Sequence, residues 1–518
     1  MPDLAPQHRA LLGRATIGDQ LRRHARTAAG RLAFVSYDVK GARAETTYGE
    51  LNRLANRYAN LFTARGVGRG GRVASMASNS VDVVAAYYGA LKIGASFTGI
   101  NTLYREAEVA HQLAHCRADL VVAEEQFGEL IGAAAPASCV RLSYGAQLAS
   151  QLAGSPDTEP DAELDENDVA MIVYTSGTES QPKGVLIPHR NYLASTAPAY
   201  GWGVRTGPDD VWLFVMPFHT IAGLGTMTTL TLMGATLVLP AKTDPATALG
   251  MIARDRVTVI AQTPTFYIAL ARQPDFGPET VGQVRRCMTY GGQMTAHVIE
   301  AWALACPQVE WGTYWGQSEL SQLGTVGFFK TLADIPDGDP TWIGKPVSHL
   351  EIRVVGPDGE DAEIGELLCR SPSVMLGYLD DPERTAEVFA DGWVHTGDMV
   401  RIDAEGNLFF SDRIKDVIKS GGMNVSSQEV ERVLHEHPDV LRAAVVGLPD
   451  DYWSEAVTAF VIPRDGHAVD VDALVAFCRE RLAVFKAPKA VHVVTDLPTD
   501  PQGKVLKRTL RAEYAATS

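Results

Sequence analysis

The sequence predicts an α/β protein, with a large layered α/β part followed by a small α+β part. Three observations predict it. Helix-period and strand-period apolar runs alternate from Thr47 to Val122 and again up to about Arg286, the pattern of α/β layers. An apolar run, Val169–Tyr174, breaks into small and polar residues and resumes at Val185, which reads as strand, exposed loop, strand. The last hundred residues, after Asp412, carry a compact mixed pattern. With 518 residues the chain is too long for one core, so two to four folding units are expected.

Taken in order, Tyr48–Phe62 places apolar residues at helical spacing, Arg72–Met76 has the look of a short strand, and Val81–Leu91 returns to helix. Ser155–Asn167 is rich in proline and acid and is expected to be a surface connector. Val211–Pro240 holds no Asp, Glu, Lys or Arg, and is long enough to span a membrane. Pro217, His219, Gly223, Gly225 and Gly234 interrupt it, so a buried loop–helix–strand passage is the better reading. Gly338–Asp403 is rich in turn residues. Ser426 and Glu429 form a capping-box pattern before an apolar helix.

Composition narrows the partners. The hydrophobic fraction of 46% and charged fraction of 21% are those of a soluble globular protein. A net charge of −16 without a long basic run disfavours nucleic acid and anionic membranes, though a few local cations still suffice for a nucleotide. The six cysteines (116, 139, 287, 306, 369 and 478) form no C-x-x-C pair, which fits a reduced, cytoplasmic setting rather than a metal site or disulfide frame. At the N-terminus, Arg9 and Arg14 bracket only a short apolar patch, without a signal-peptide profile.

The loop between the two central strands carries the densest chemistry. It offers hydroxyls on Thr175, Ser176, Thr178 and Ser180, backbone N–H groups freed by Gly177 and Gly184, and the cation of Lys183. Those are the parts needed to wrap a polyphosphate. The common P-loop spacing is absent, since Pro182 precedes Lys183, and an ordinary Ser/Thr turn fits the same residues equally well. Further polar clusters follow. Pro217–Gly223 holds a lone histidine, His219, a kind more often found as a satisfied core residue than as a catalyst. Tyr314-Trp-Gly-Gln-Ser-Glu319 sets aromatics, glycine and a carboxylate together. Gly392–Asp398 is a sharp turn ending in an acid, Asp412–Val425 runs into a Gly-Gly turn, and Leu497–Lys507 presents Lys504.

In this order and at these separations, the clusters resemble the adenylate-forming superfamily: acyl- and aryl-CoA synthetases, luciferases and peptide-synthetase adenylation domains. The resemblance runs from Thr47-Tyr-Gly-Glu-Leu51 to Lys504, and a stand-alone acyl-CoA ligase is the nearest type. It implies an N-terminal ATP- and acyl-binding domain, residues 1–414, and a mobile C-terminal lid, residues 415–518, with a hinge near Lys415. It also implies two half-reactions. A carboxylate attacks the α-phosphate of Mg-ATP to give acyl-AMP and pyrophosphate; after lid rotation, the thiol of coenzyme A displaces AMP.

Roles follow position by position as what the resemblance implies. Thr175, Ser176, Gly177, Thr178 and Lys183 hold the β- and γ-phosphates. Glu319 binds Mg²⁺. Trp315 stacks on adenine where the family usually has Tyr, next to Tyr314, and Ser318 keeps the hydroxyl of a usual Thr. Asp398 and Arg413 bind the ribose. His219 gates the acyl pocket rather than acting as a base, because a carboxylate nucleophile needs no deprotonation. Lys504 bridges the substrate carboxylate and the α-phosphate during adenylation. Gly421 and Gly422 line the pantetheine tunnel; Trp453 faces the coenzyme A adenine, and Lys486 and Lys489 face its phosphates, although solvated surface lysines are an equal reading of these two. Pocket candidates are His219, Thr220, Ile221, Gly223, Phe266, Gly291, Gly292, Gly316 and Leu320. They are small or apolar, with no cation for a second carboxylate, which suits a hydrophobic monoacid.

Several positions depart from the family pattern. Glu179 and Ser180 replace a Thr and a Gly of the phosphate loop, and a carboxylate there repels phosphates unless it points outward or helps hold Mg²⁺. A thioesterification-only ligase, acting on preformed acyl-adenylate, is the reading this motivates. Gly99 stands where Pro often precedes Ile-Asn, and Gln293 where a smaller residue follows Gly-Gly. A ligase loading a carrier protein and a degenerate nucleotide-binding protein are the remaining alternatives. A homodimer is compatible with the sequence.

Overall fold

The computed structural model describes residues 14–175, 182–241, 244–289, 296–420, 423–450, 453–482, 484–499 and 505–515. The chain divides into two compact units, residues 1–351 with 370–394, and residues 352–369 with 395–518.

The larger unit is built on two sheets. In one, Leu32–Tyr37, Thr236–Pro240, Val211–Leu213, Val259–Gln262, Arg286–Thr289 and Glu310–Gln317 lie parallel in that order. The antiparallel strands Gln322–Phe329 and Trp342–Pro346 extend it. The other is a seven-stranded sheet with Ser96–Gly99 at its centre, next to Arg72–Met76, which pairs in parallel with it and with Leu120–Glu124. Val169–Thr175 joins beside Ser96–Gly99, and Lys183–Pro188 pairs antiparallel with it, so Thr175 and Lys183 are cross-strand partners. Both strands of the strand–loop–strand reading therefore hold, and the loop residues 176–181 lie outside the described ones.

The helices follow from local sequence. Tyr48–Ala64 starts at a capping box, in which Thr47 accepts from the Glu50 amide and the Glu50 carboxylate accepts from the Thr47 amide. Val81–Lys92 is hydrophobic almost all round and is buried on nearly every face. The uncharged passage resolves into strand Val211–Leu213, a π-helical turn Ile221–Gly225, helix Thr226–Leu232 and strand Thr236–Pro240. Among the described residues, no helix is long and apolar enough to cross a membrane.

Two expectations gain detail and one needs correction. Between its turns the Gly338–Asp403 block also carries strands, among them Trp342–Pro346, Glu351–Val355, Ile364–Arg370 and Trp393–Ile402. Short strands between Gly and Asp turns leave too few residues for an alternation to register. The Ser155–Asn167 stretch is a surface connector, as expected, and it is tethered to the helices beneath it. Lys92, 4% exposed, donates to Glu159, Asn52 and Asn56 at 2.7–2.8 Å, and Asn60 donates to the carbonyls of Pro156 and Thr158. Only half of the second capping box forms: Ser426 accepts from the Glu429 amide, but the Glu429 carboxylate turns to Lys486 at 2.7 Å.

The smaller unit has a five-stranded sheet in which Val440–Asp450 and Ser454–Pro463 form a long antiparallel pair. Helices Ser427–His435 and Val471–Arg481 cover a core of Val430, Val433, Leu434, Val445, Val457 and Leu474. Helix Lys507–Ala515 is tied to the first of these by the Lys507–Glu431 ion pair at 2.8 Å. All six cysteines are buried thiols without disulfide partners.

Candidate functional site

Parallel strands place the loops that follow them along one sheet edge, where α/β proteins bind ligands. Four adjacent parallel strands of the larger unit carry candidate residues on those loops. Val211–Leu213 leads to His219, Val259–Gln262 to Phe266, Arg286–Thr289 to Gly291 and Gly292, and Glu310–Gln317 to Ser318, Glu319 and Leu320. Gly291 and Gly292 fall outside the described residues. The second sheet meets the same edge. A Cβ on Gly99, at the end of Ser96–Gly99, would come within 2.6 Å of His219 Cα and 2.7 Å of the Phe218 carbonyl oxygen. That contact explains why glycine occupies position 99.

The His219 loop is held by polar clamps. Asn79 donates to the Met216 carbonyl at 2.7 Å and accepts from the Phe218 amide at 3.1 Å. Thr220 caps the following turn by accepting from the Gly223 amide at 3.0 Å. Gly223 is required there, because a Cβ would lie 1.8 Å from the Pro217 carbonyl oxygen. Burial lowers the His219 pKa to about 4, so the ring is neutral at physiological pH. A neutral, half-buried imidazole suits a wall better than an acid.

Glu319 and Lys183 are brought together by a residue the motifs did not single out. The Tyr378 hydroxyl donates to Glu319 Oε1 at 2.8 Å, and Lys183 Nζ lies 5.1 Å from the centre of the same ring. Backbone pairing fixes this arrangement: Tyr378 pairs with Val185, the Leu379 amide donates to the Gly184 carbonyl, and the Met375 amide donates to the Glu319 carbonyl. Burial and then the Glu319 charge push the Tyr378 pKa up, keeping the phenol a donor. The only sequence signal was an aromatic next to glycine in a turn-rich block.

Thr175 ends its strand opposite Lys183; Ser176, Gly177, Thr178, Glu179 and Ser180 lie outside the described residues. The preceding Tyr174 hydroxyl is hydrogen-bonded to His115 Nδ1 at 2.7 Å, anchoring the base of the loop. Trp315 is buried, and a Cβ on Gly324 would come 2.6 Å from its ring, so its indole rests on a glycine floor. Tyr314, on the opposite face of the strand, is half-buried, and Ser318 is buried. Gly316 leaves room for the Gln322 carbonyl, which a Cβ would meet at 1.9 Å.

In the smaller unit, Asp398 and Arg413 are cross-strand partners, with Nε to Oδ1 at 2.9 Å. Asp398 is fully buried, and Gly397 ahead of it adopts φ 68°, the left-handed region glycine favours. Lys489 Nζ lies 4.9 Å from the Trp453 ring centre and donates to the carbonyls of Phe485 and Ala487 at 2.9 Å. Lys486 pairs with Glu429. Gly421, Gly422 and Lys504 lie outside the described residues, as does the side chain of Lys415. The ends of the Lys504 turn are described: Thr499 and Val505 form a β-bridge.

Residues 21–379 match the AMP-binding enzyme family, and residues 429–504 match the AMP-binding enzyme C-terminal domain. The chain is 33% identical over 477 residues to a feruloyl-CoA synthase of Amycolatopsis, covering 90% of this chain and 94% of the relative. It is 33% identical over 510 residues to a long-chain-fatty-acid–CoA ligase of Mycobacterium tuberculosis, covering 97% and 99%. The fold superposes on an anthranilate CoA ligase in complex with anthranoyl-AMP at a TM-score of 0.86, with 26% identity over 97% of this chain and 98% of that one. The chain belongs to the AMP-binding enzyme family, among its AMP-forming acid–thiol ligases.

Proposed function

We propose that this chain activates a hydrophobic monocarboxylic acid as acyl-AMP with Mg-ATP and then forms its coenzyme A thioester in the cytoplasm. The observation that supports it most is the convergence of Lys183 and Glu319 on Tyr378, beside the strand pair that carries the phosphate loop. Lys183, with Thr175 to Thr178, takes the β- and γ-phosphates, and Tyr378 orients the Glu319 carboxylate. One oriented carboxylate fits Mg²⁺, which usually keeps several waters and takes one or two carboxylates plus substrate phosphates. When bound, the ion spreads the negative charge that develops on the phosphates.

Trp315, beside Tyr314 and Ser318, receives the adenine, and His219, Thr220, Ile221, Gly223, Phe266, Gly316 and Leu320 surround the acid. Activation is required because hydroxide is a poor leaving group, whereas AMP leaves readily. Lys504 neutralises the meeting of carboxylate and α-phosphate in the first half-reaction. Asp398 and Arg413 take the ribose hydroxyls. A lid of residues 415–518, turning at Lys415, then brings Gly421 and Gly422 to the pantetheine arm, with Trp453, Lys486 and Lys489 toward the nucleotide end of coenzyme A.

A panel of acids with ATP and coenzyme A, with pyrophosphate and thioester scored separately, tests the reading. Both products from the same acid are expected. Thioester from supplied acyl-adenylate, without pyrophosphate from any acid, would instead select the thioesterification-only reading raised by Glu179 and Ser180. Transfer to a phosphopantetheine-bearing carrier protein, with none to coenzyme A, would change the acceptor.

A further inference from the structure

Next to the candidate pocket stands a cluster of buried polar side chains that neither half-reaction uses. Gln322 is at its centre. Its φ of 141°, after Ser321 at 59°, lies where residues other than glycine rarely go, and such backbone strain gathers at functional sites. Gln322 Oε1 accepts from the Tyr192 hydroxyl at 2.9 Å, and Nε2 donates to the Tyr200 hydroxyl and Thr226 Oγ1, both at 2.6 Å. Tyr192 also bonds Thr229 Oγ1 at 2.6 Å and donates to the Gly225 carbonyl. All five side chains are buried.

This cluster abuts residues assigned to the acid. A Cβ on Gly225 would meet Ile221 at 3.1 Å, the Tyr192 hydroxyl at 3.3 Å and the Gln322 amide at 3.4 Å. Gly316 lies directly against the Gln322 carbonyl. Beside Tyr200 and Thr226 the remaining cavity, bounded also by Trp212, Met288 and Leu323, is about 10 Å³, room for one water at most and none for a methylene chain. A long acyl chain entering past Ile221 and Gly225 would meet the Gln322 amide and have to turn it aside. That would strand its amide and the surrounding hydroxyls in a dry interior, at roughly ten- to hundredfold in affinity for each unsatisfied group.

We infer that Gln322 is a specificity-determining residue that closes the acid pocket, so that the substrate is a compact acid, single-ring aryl or short-chain, and long-chain fatty acids are excluded. The inference rests on the ligase reading above. Thioester formation by wild type, Gln322→Gly and Gln322→Met tests it, using benzoate, cinnamate, octanoate and palmitate. Glycine is at ease at this φ, and methionine fills the space with a flexible apolar chain; thermal unfolding confirms that each variant is folded. The wild type is expected to disfavour palmitate by about 100-fold or more in kcat/KM, and the glycine variant to narrow that ratio by about tenfold or more through the KM of the long acid, with the KM for coenzyme A unchanged. A wild type that prefers palmitate, or two folded variants that leave the ratio unchanged, would overturn this inference while sparing the ligase reading. No product from any acid would remove both.

Discussion

Replacing Tyr378 by Phe removes one hydroxyl and leaves the ring under Lys183 in place. The hydroxyl donates to a carboxylate, and hydrogen bonds to charged groups contribute about 1.5–3 kcal/mol. Y378F is therefore expected to raise the Mg²⁺ concentration needed for half-maximal pyrophosphate formation by about tenfold, with the KM for the acid unchanged. A magnesium titration of both proteins checks this; an unchanged midpoint would leave Tyr378 as packing only. His219 makes a second prediction at this scale. Because its pKa is held at about 4, its titration contributes no inflection to activity between pH 5 and 8. His219→Ala should change acid selectivity and leave the pH profile of kcat unmoved.

At the scale of elements, helix His189–Thr196 begins on a fully buried histidine whose Nδ1 accepts from the Ile17 amide at 3.3 Å. Burial lowers the His189 pKa from its ordinary 6.5 to about 4. The folded state therefore binds fewer protons than the unfolded one between those values. This contribution to stability is complete above pH 6.5 and is lost as the pH falls through 4, about 3 kcal/mol when complete. Melting temperature measured across that window should fall more steeply for the wild type than for His189→Asn. The hairpin of Glu310–Gln317 and Gln322–Phe329 gives a sharper test. In Gly316→Ala the new methyl collides with the Gln322 carbonyl, so the melting temperature should drop by several degrees, as overpacking costs about 1–3 kcal/mol.

Elements with strong local signals were legible in the sequence. The strand Arg72–Met76 and the helices from Tyr48 and Val81 follow from apolar period alone, and the structure gives them nearly the same limits. The Gly338–Asp403 strands were not legible, since most are short and bounded by turns, which leaves little room for an alternation to register. The same holds for the site. Lys183, Glu319, Asp398 and Arg413 belong to dense polar clusters and announce themselves. Tyr378, Asn79 and Gln322 matter only through partners brought close by the fold, and no spacing in the chain records those distances.

At the scale of the whole molecule, the chain folds into two compact units. On the proposed reading the larger binds the phosphates, adenine and acid; the smaller carries Asp398, Arg413 and Lys504, the last between the bridged residues Thr499 and Val505. If, as proposed, a C-terminal lid serves each half-reaction with a different face, the two steps are separable by mutation. The most direct test is Lys504→Ala, assayed in both halves: pyrophosphate formation from ATP and acid, and thioester formation from supplied acyl-adenylate and coenzyme A. Adenylation should fall by about 100-fold or more while thioester formation changes by less than about threefold, as expected when a charge contact serves one transition state only. Equal loss in both halves would contradict the two-face account.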